Sequence, residues 1–533
     1  MAQLKAISKK EYGADAADRI KRDPPHSAVQ HRRRLTMKYR STRGFPTEVS
    51  SAEAIRAGIA PDGGLYLPVS IPTLTTDDIK KLCKMNYSER TAYILSLFLT
   101  DYTHDELLCD AEEAYGKEKF SPSPAPITEL DETTFMLELW HGPTCAFKDM
   151  ALQLMPRLFV RAMKKCGEKR RALILTATSG DTGKAALEGY RDIPGVGILV
   201  FYPTDGVSSM QKLQMQTQEG SNLGVFGIRG NFDDAQNGVK SIFSSQKIAA
   251  ELNNCDVFLS SANSINWGRL APQIVYYVSA YCDILATGKI SVSEKIDVCV
   301  PSGNFGNIFA AYLAKRMGLP IGKLICASNS NNVLTEFLTT GVYDRNRPFH
   351  KTISPSMDIL VSSNLERLIS LLFGAQRTCE LMAKLNVDGR YSLTMAELET
   401  IRQDFSAYST SENATAEIIK STYKEKNCLT DPHTSVAIGA ARKYMNDHKA
   451  ERKILIVSTA SPFKFADSVY AAMTGVQIRS DEAPEALHEL TGTDIPTPLL
   501  NIAGRKILHP ETIAPSDMPK TVKDFAAVNM RGV

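Results

Sequence analysis

The sequence predicts an α/β architecture, and three observations lead there. From residue 130 onward, short β-branched or apolar runs alternate with longer stretches of helical periodicity, the pattern of βα units joined into a parallel sheet. Several of those runs end in glycine-rich turns that lead straight into a helix. The chain has 533 residues, 43% of them hydrophobic and 23% charged, which is enough for more than one sizeable core and ordinary for a folded globular protein.

Taken in order, residues 1–37 read as a flexible basic extension ending in Arg32, Arg33 and Arg34. Glu11, Asp15, Asp18 and Asp23 weaken the case for an organelle transit peptide, which stays one reading beside a disordered extension and a start at Met37. Residues 38–68 carry turn signals, notably Pro61-Asp62-Gly63-Gly64 ahead of the strand-like residues 65–67. Between 76 and 117, Ile79, Leu82, Ile94, Leu97, Leu107 and Leu108 recur at helical spacing among charged residues, which suits a small N-terminal domain. Strands are expected at 172–178, 197–202, 223–228, 296–300, 324–327 and 453–457, with helices at 150–165 and 308–316. Segments 340–358 and 478–500, rich in Pro, Gly, Thr and Asp, read as loops or linkers. No internal repeat and no low-complexity segment interrupts the pattern.

Composition also narrows the function. A net charge of +3 supplies no global field toward nucleic acid or an anionic bilayer, and the short Arg32–34 run is ordinarily a solvated one. Ten scattered cysteines, without a CxxC pair, give neither a disulfide framework nor a metal site and suit a reducing compartment. No apolar run is long enough to span a bilayer. The expectation is a cytoplasmic protein, monomer or homodimer, acting on a small molecule without a metal.

Three segments carry chemistry. In residues 137–149, LELWHGPTCAFKD, a strand-like start passes through a Gly-Pro break to Lys148 at the head of a helical stretch. The positive end of a helix disfavours an ammonium, so a lysine placed there suits a Schiff-base or general-base role; the alternative is a surface lysine that snorkels to water. Residues 300–307, VPSGNFGN, join a strand to a helix through a turn with two glycines and no acid, an arrangement that offers backbone N–H groups to a phosphate, or else is only a tight connection. Residues 178–184, TSGDTGK, miss the P-loop spacing, and Asp181 would repel a triphosphate, so their hydroxyls and N–H groups are better matched to a carboxylate.

These motifs, in this order, resemble the threonine synthase family. YRSTRG (39–44), GIAPDGGLYL (58–67), NSINWGR (263–269), SPSMD (354–358), DPHT (431–434) and STA (458–460) are similar to segments of it as well. The resemblance covers roughly residues 38–470. It implies the fold of the tryptophan synthase β subunit (fold type II): two parallel-sheet α/β domains holding pyridoxal 5'-phosphate between them, plus a small N-terminal domain. The division it implies is 38–125 for the N-terminal domain, 126–155 with 260–533 for the larger cofactor-binding domain, and 156–259 for the smaller one.

The same resemblance implies that Lys148 carries the cofactor as a Schiff base and shuttles protons at the substrate. Gly303, Asn304, Phe305, Gly306 and Asn307 would form the phosphate cup, and Thr459 would face the pyridine nitrogen. A neutral hydroxyl there weakens the electron sink, so positioned groups must steer the later steps. O-phosphohomoserine would lose phosphate from Cγ and gain water at Cβ to become threonine. Thr178, Ser179, Asp181 and Thr182 belong to the substrate loop that takes the α-carboxylate. Arg269, with Asn266 and Ser264, is the candidate holder of the leaving phosphate, since a planar fork binds phosphate bidentately; a structural salt bridge is the alternative for Arg269, and Lys212 is a weaker candidate. Cys145 lies close enough to Lys148 for thiol modification to inhibit, whereas His141 and His433 read as packing or hydrogen-bonded histidines. Two rivals share the motifs: a phospholyase releasing phosphate from O-phosphothreonine or O-phosphoserine, and a cofactor-binding homologue without catalysis.

Overall fold

Two sheets organise the chain in the computed structural model, which describes residues 36–178, 180–204, 207–449 and 451–530. The expected extension therefore lies outside the described residues, apart from Thr36 and Met37, and so does Ser179. One sheet has six strands in the order Phe405–Ser409, Ile321–Ser328, Ile296–Pro301, Ile454–Ser458, Thr134–Glu138 and Ile127–Glu129. All its pairings are parallel except the last. The other has five strands, all parallel, in the order Thr512–Ile513, Leu223–Ile228, Val196–Pro203, Arg171–Ala177 and Val257–Ser260.

The central strands are largely apolar because helices cover both faces. Val196–Pro203, Ile296–Pro301 and Ile454–Ser458 are buried along their whole length. The expected strands fall within a few residues of these, and the α/β architecture with two largely parallel sheets is the one observed.

The N-terminal region contributes three helices, Thr76–Leu82, Tyr87–Phe98 and His104–Tyr115, each opened by a capping box. Arg90 ties them inward by donating to Ser279 Oγ at 2.7 Å and Asp283 Oδ1 at 2.6 Å on the long helix Pro272–Ala286. Trp267 packs between Tyr39 and Phe98, with ring centroids 5.4 and 5.7 Å away.

Four features depart from the sequence expectation. The helix expected at 150–165 is two helices, Asp149–Leu152 and Met155–Lys165, because Pro156 fits only the first turn of a helix. Segment 478–500 contains the helix Ala483–Thr491, which carries Pro484 in its first turn and buries Leu487. Segment 340–358 contributes the short strand Val342–Asp344, paired antiparallel with Arg390–Ser392. Finally, the C-terminal strand Thr512–Ile513 extends the five-stranded sheet, and the helix Met518–Val528 covers it through Met518, Val522 and Phe525. The division implied by the resemblance places that stretch with the other sheet, whereas its pairing with Leu223–Ile228 places it on this one.

Candidate active site

The chemistry-bearing segments follow the carboxyl ends of parallel strands, where open α/β sheets present their ligand crevices. Lys148 follows Thr134–Glu138, residues 178–184 follow Arg171–Ala177, residues 302–307 follow Ile296–Pro301, and Thr459 follows Ile454–Ser458. Lys148 and Thr459 are stitched together locally: Phe147 N–H donates to the Thr459 carbonyl at 2.8 Å, and Ala146 bridges Ala460.

Lys148 is the N-cap residue of Asp149–Leu152 and is 9% exposed, so it is not a surface lysine. Its Nζ lies 3.1 Å from Asp181 Oδ2, donates to Ser356 Oγ at 3.3 Å, and stands 5.0 Å from the centroid of the Phe147 ring. Burial pulls its pKa down while Asp181 pulls the other way; Arg269 and Lys464 add to the lowering. A buried amine with a depressed pKa is the form that attacks a carbonyl carbon.

The turn 302–307 is a cup lined by backbone. Phe305 sits in the left-handed region with φ 62° and is buried, a costly conformation that leads straight into the helix Gly306–Arg316. A Cβ at Gly303 would lie 3.0 Å from the Ser356 carbonyl, so only glycine fits there without displacing backbone. Among the described residues, the backbone N–H groups of 303–307 donate to no protein acceptor. Asn307 is held from one side: Tyr276 and Tyr277 both donate to its Oδ1, and its buried Nδ2 has no partner. Asn304 anchors the turn through its carbonyl, which accepts from Asn364 N–H at 3.1 Å and Asn364 Nδ2 at 3.0 Å. Ser264 joins here too, its Oγ accepting from Asn364 Nδ2 at 3.1 Å.

The residues expected on the substrate side divide into free and committed groups. Thr178 Oγ1 accepts the N–H groups of Gly180 at 3.0 Å and Gly183 at 2.9 Å, so this hydroxyl pins the loop. Asn266 is fully buried and caps the turn Trp267–Leu270: Oδ1 accepts Gly268 N–H at 2.9 Å and Nδ2 donates to the Ile55 carbonyl at 2.9 Å. Both are spent on shaping backbone. Arg269, 6% exposed, donates to the Ala262 carbonyl at 2.7 Å and to Thr182 Oγ1 at 3.4 Å, and it has no acidic partner among the described residues. Burial lowers its pKa to about 10. Lys212 stays on its helix; the neighbouring Gln211 is the residue that reaches the site, donating to Asp181 Oδ1 at 2.9 Å.

Several residues with no assigned role converge on Asp181. Ser356 Oγ donates to Asp181 Oδ2 at 2.8 Å, and Lys464 Nζ lies 3.0 Å from Asp181 Oδ1. His433 aims this set: its Nε2 accepts the Ser356 N–H at 3.1 Å while Nδ1 meets Asp431 Oδ1 at 2.8 Å. Asp181 is held well below the usual carboxylate range by Lys148, then Lys464, then His433, against a large burial penalty. Cys145 is 1% exposed, and burial pushes its thiol up to about 12, so it lacks the accessible thiolate that modification requires.

This set fits pyridoxal phosphate. The open N–H groups of 303–307 and the orphaned Asn307 Nδ2 match a phosphate dianion. Lys148 offers the amine, and the buried Thr459 hydroxyl offers a neutral contact for a ring nitrogen. Among the described residues, no group of His, Cys, Asp or Glu could hold a metal ion.

The match to known proteins follows the same lines. Residues 38–115 match the family model described as "Threonine synthase N terminus", 119–460 that of "Pyridoxal-phosphate dependent enzyme", and 434–497 that of "Threonine synthase, C-terminal". "Threonine synthase-like 1" of Homo sapiens is 41% identical over 437 residues, which is 79% of this chain but 58% of that protein, so the chain spans little more than half of that relative's length. "Threonine synthase" of Pseudomonas aeruginosa is 38% identical over 442 residues, 82% of this chain and 91% of that protein. Among solved structures, the PLP-bound threonine synthase from Brucella melitensis superposes with a TM-score of 0.81 at 36% identity, covering 93% of this chain and 100% of that one. Yeast threonine synthase gives 0.82 at 32% identity, covering 93% and 99%. With its cofactor cup, its buried lysine and its relatives in agreement, the chain belongs to the threonine synthase family of pyridoxal-phosphate-dependent enzymes.

Proposed function

We propose that the protein is a threonine synthase, converting O-phospho-L-homoserine and water to L-threonine and phosphate. The observation that carries this reading is Arg269: a buried guanidinium, without a carboxylate partner among the described residues, beside the hydroxyl of Thr182. A cation buried at such cost calls for an anionic ligand, and a substrate bearing a phosphate beyond its amino-acid end provides one.

In this reading Lys148 Nζ binds the cofactor, takes the proton from the substrate Cα and later returns one. Pyridoxal phosphate, when bound, supplies the electron sink for negative charge at Cα. Thr182 and the backbone of the 178–184 loop hold the α-carboxylate, with Thr178 fixing the loop. Arg269 holds the phosphate as it leaves Cγ, with Ser264 beside the cup, while Asn266 positions the turn that carries Arg269. The Thr459 hydroxyl contacts the ring nitrogen without adding charge. The chain is divided in the same way: 38–125 as the N-terminal domain, and one cofactor-binding and one smaller α/β domain built on the two sheets, with 512–530 assigned to the smaller.

The test is product analysis by NMR after incubating the holoenzyme with O-phosphohomoserine and, separately, O-phosphothreonine. Threonine and phosphate from the first substrate are expected, and Lys148→Ala should abolish both that turnover and the cofactor's long-wavelength absorbance while the fold persists. A keto acid from O-phosphothreonine, with no threonine from the first substrate, would replace the proposal with the phospholyase reading.

A further inference from the structure

Lys464 lies in the Pro462–Phe465 turn, between two buried phenylalanines, and its side chain is 0% exposed. A lysine is taken so far from water only if its ammonium finds partners. It has two: Asp181 Oδ1 at 3.0 Å and the Thr144 carbonyl at 2.7 Å. Asp181 is thus bracketed, with Lys464 on one carboxylate oxygen and Lys148 at 3.1 Å from the other.

The bracket resolves a conflict in the site. A lone buried carboxylate beside Lys148 would orient the amine but also hold it as an ammonium, which cannot attack the cofactor's carbonyl carbon. A second cation on the far oxygen keeps the carboxylate's hydrogen-bonding geometry and cancels most of its charge as felt at Lys148. We propose that Lys464 is a positioning residue that neutralises the far oxygen of Asp181, so that this carboxylate aligns Lys148 without locking it in its ammonium form. The inference rests on Lys148 being the cofactor lysine.

Other charged groups face the pair from neighbouring elements. Arg269 opposes the Lys148 ammonium, His433 acts on Asp181 alongside the two lysines, and Asp149 feels Lys464. Lys184 pairs with Glu188 at 3.2 Å. None of these touches the far oxygen of Asp181, where Lys464 and Gln211 stand alone among the described residues.

The experiment reads Lys148 itself, in the cofactor-free full-length chain. Pyridoxal phosphate is added across a pH series, trapped after a short interval with borohydride, and label at Lys148 is quantified by peptide mass spectrometry, giving the pH midpoint for amine reactivity. In K464M and K464Q the midpoint should rise by about one to two pH units, with labelling near neutral pH falling about tenfold or more. K464R, which keeps the charge, should stay near the wild type, and D181N should move the midpoint downward. A purely structural lysine would lower the denaturation midpoint and leave the pH midpoint in place, and that result overturns the inference. If neither neutral variant folds, removing the pair together decides: D181N/K464M should bring the midpoint back up from that of D181N, and equal midpoints in the two would be equally fatal. Absence of label at Lys148 in the wild type would instead remove the reading of Lys148 as the cofactor lysine.

Discussion

Replacing Arg269 by Met separates what this residue does for a ligand from what it does to the fold. The guanidinium is buried, and its pKa falls from the ordinary value to about 10 through loss of solvation. That depression corresponds to about 3 kcal/mol of burial cost. Because the folded value lies below the unfolded one, the cost stands in full at every pH below about 10 and is relieved only above it. Methionine removes the charge and nearly matches the stem, but it leaves the Ala262 carbonyl without its donor, which returns about 1 to 2 kcal/mol. The ligand-free variant should therefore be more stable than the wild type by about 1 to 2 kcal/mol. Against this, a phosphate that loses a bidentate charged partner loses about 3 kcal/mol, or about two orders of magnitude in kcat/KM for O-phosphohomoserine. Urea midpoints without ligand and steady-state kinetics measure the two quantities, and cofactor affinity, read from absorbance, should change little. A variant that is both less stable than the wild type and within tenfold of its kcat/KM would refute the reasoning.

Two further outcomes follow from buried groups near Lys148. Asp149 accepts from Thr144 N–H at 2.8 Å and Thr144 Oγ1 at 2.7 Å, yet burial raises its carboxyl to about 6. A carboxyl whose folded value is raised costs stability as pH climbs from its unfolded value to its folded one, here between about 4 and 6, by about 3 kcal/mol in all. Asp149→Asn should lack that slope, so its urea midpoint should gain on the wild type from pH 4 to pH 7; parallel curves would contradict the assignment. Cys145 should resist alkylation in the native protein while the exposed Cys109 and Cys379 react, with turnover retained; peptide mapping that finds Cys145 labelled early would show the region to be open.

The sequence exposed those parts of the site that depend on local order. Lys148 stood out because a lysine heads a helical stretch, and the cup because a strand, two glycines and a helix are consecutive. Strands such as Leu223–Ile228 and Ile296–Pro301 were legible because burial on both faces favours largely apolar runs, Asp297 being the one charged exception. Phe405–Ser409 was not, for at the sheet edge its pattern mixes Phe405 and Ala407 with half-exposed serines. The split at Pro156 could have been anticipated from the proline itself. Lys464, Ser356 and Gln211 escaped because their meaning arises only when distant loops meet at Asp181. One signal for Lys464 was present, a lysine set between two phenylalanines in a run without other charges. The structure also gave Thr178 and Asn266 backbone duties that no spacing rule distinguishes from ligand duties.

The C-terminal cover of the five-stranded sheet bears on the order in which the molecule can be completed. Gly197 and Gly224 leave the sheet face so bare that a Cβ at either would fall within 3.3 Å of Phe525, and at Gly197 within 3.2 Å of Met530 as well. The face formed by Leu173, Leu199 and Phe201 is thus shaped to receive residues from far along the chain. Ala235, Val239 and Ile242 cover part of that face; until Met518, Val522, Phe525 and Met530 dock, the rest of it and the edge of Leu223–Ile228 stay open, so a chain in which this docking is delayed carries a sticky surface. Removing residues 512–530 would make that exposure permanent.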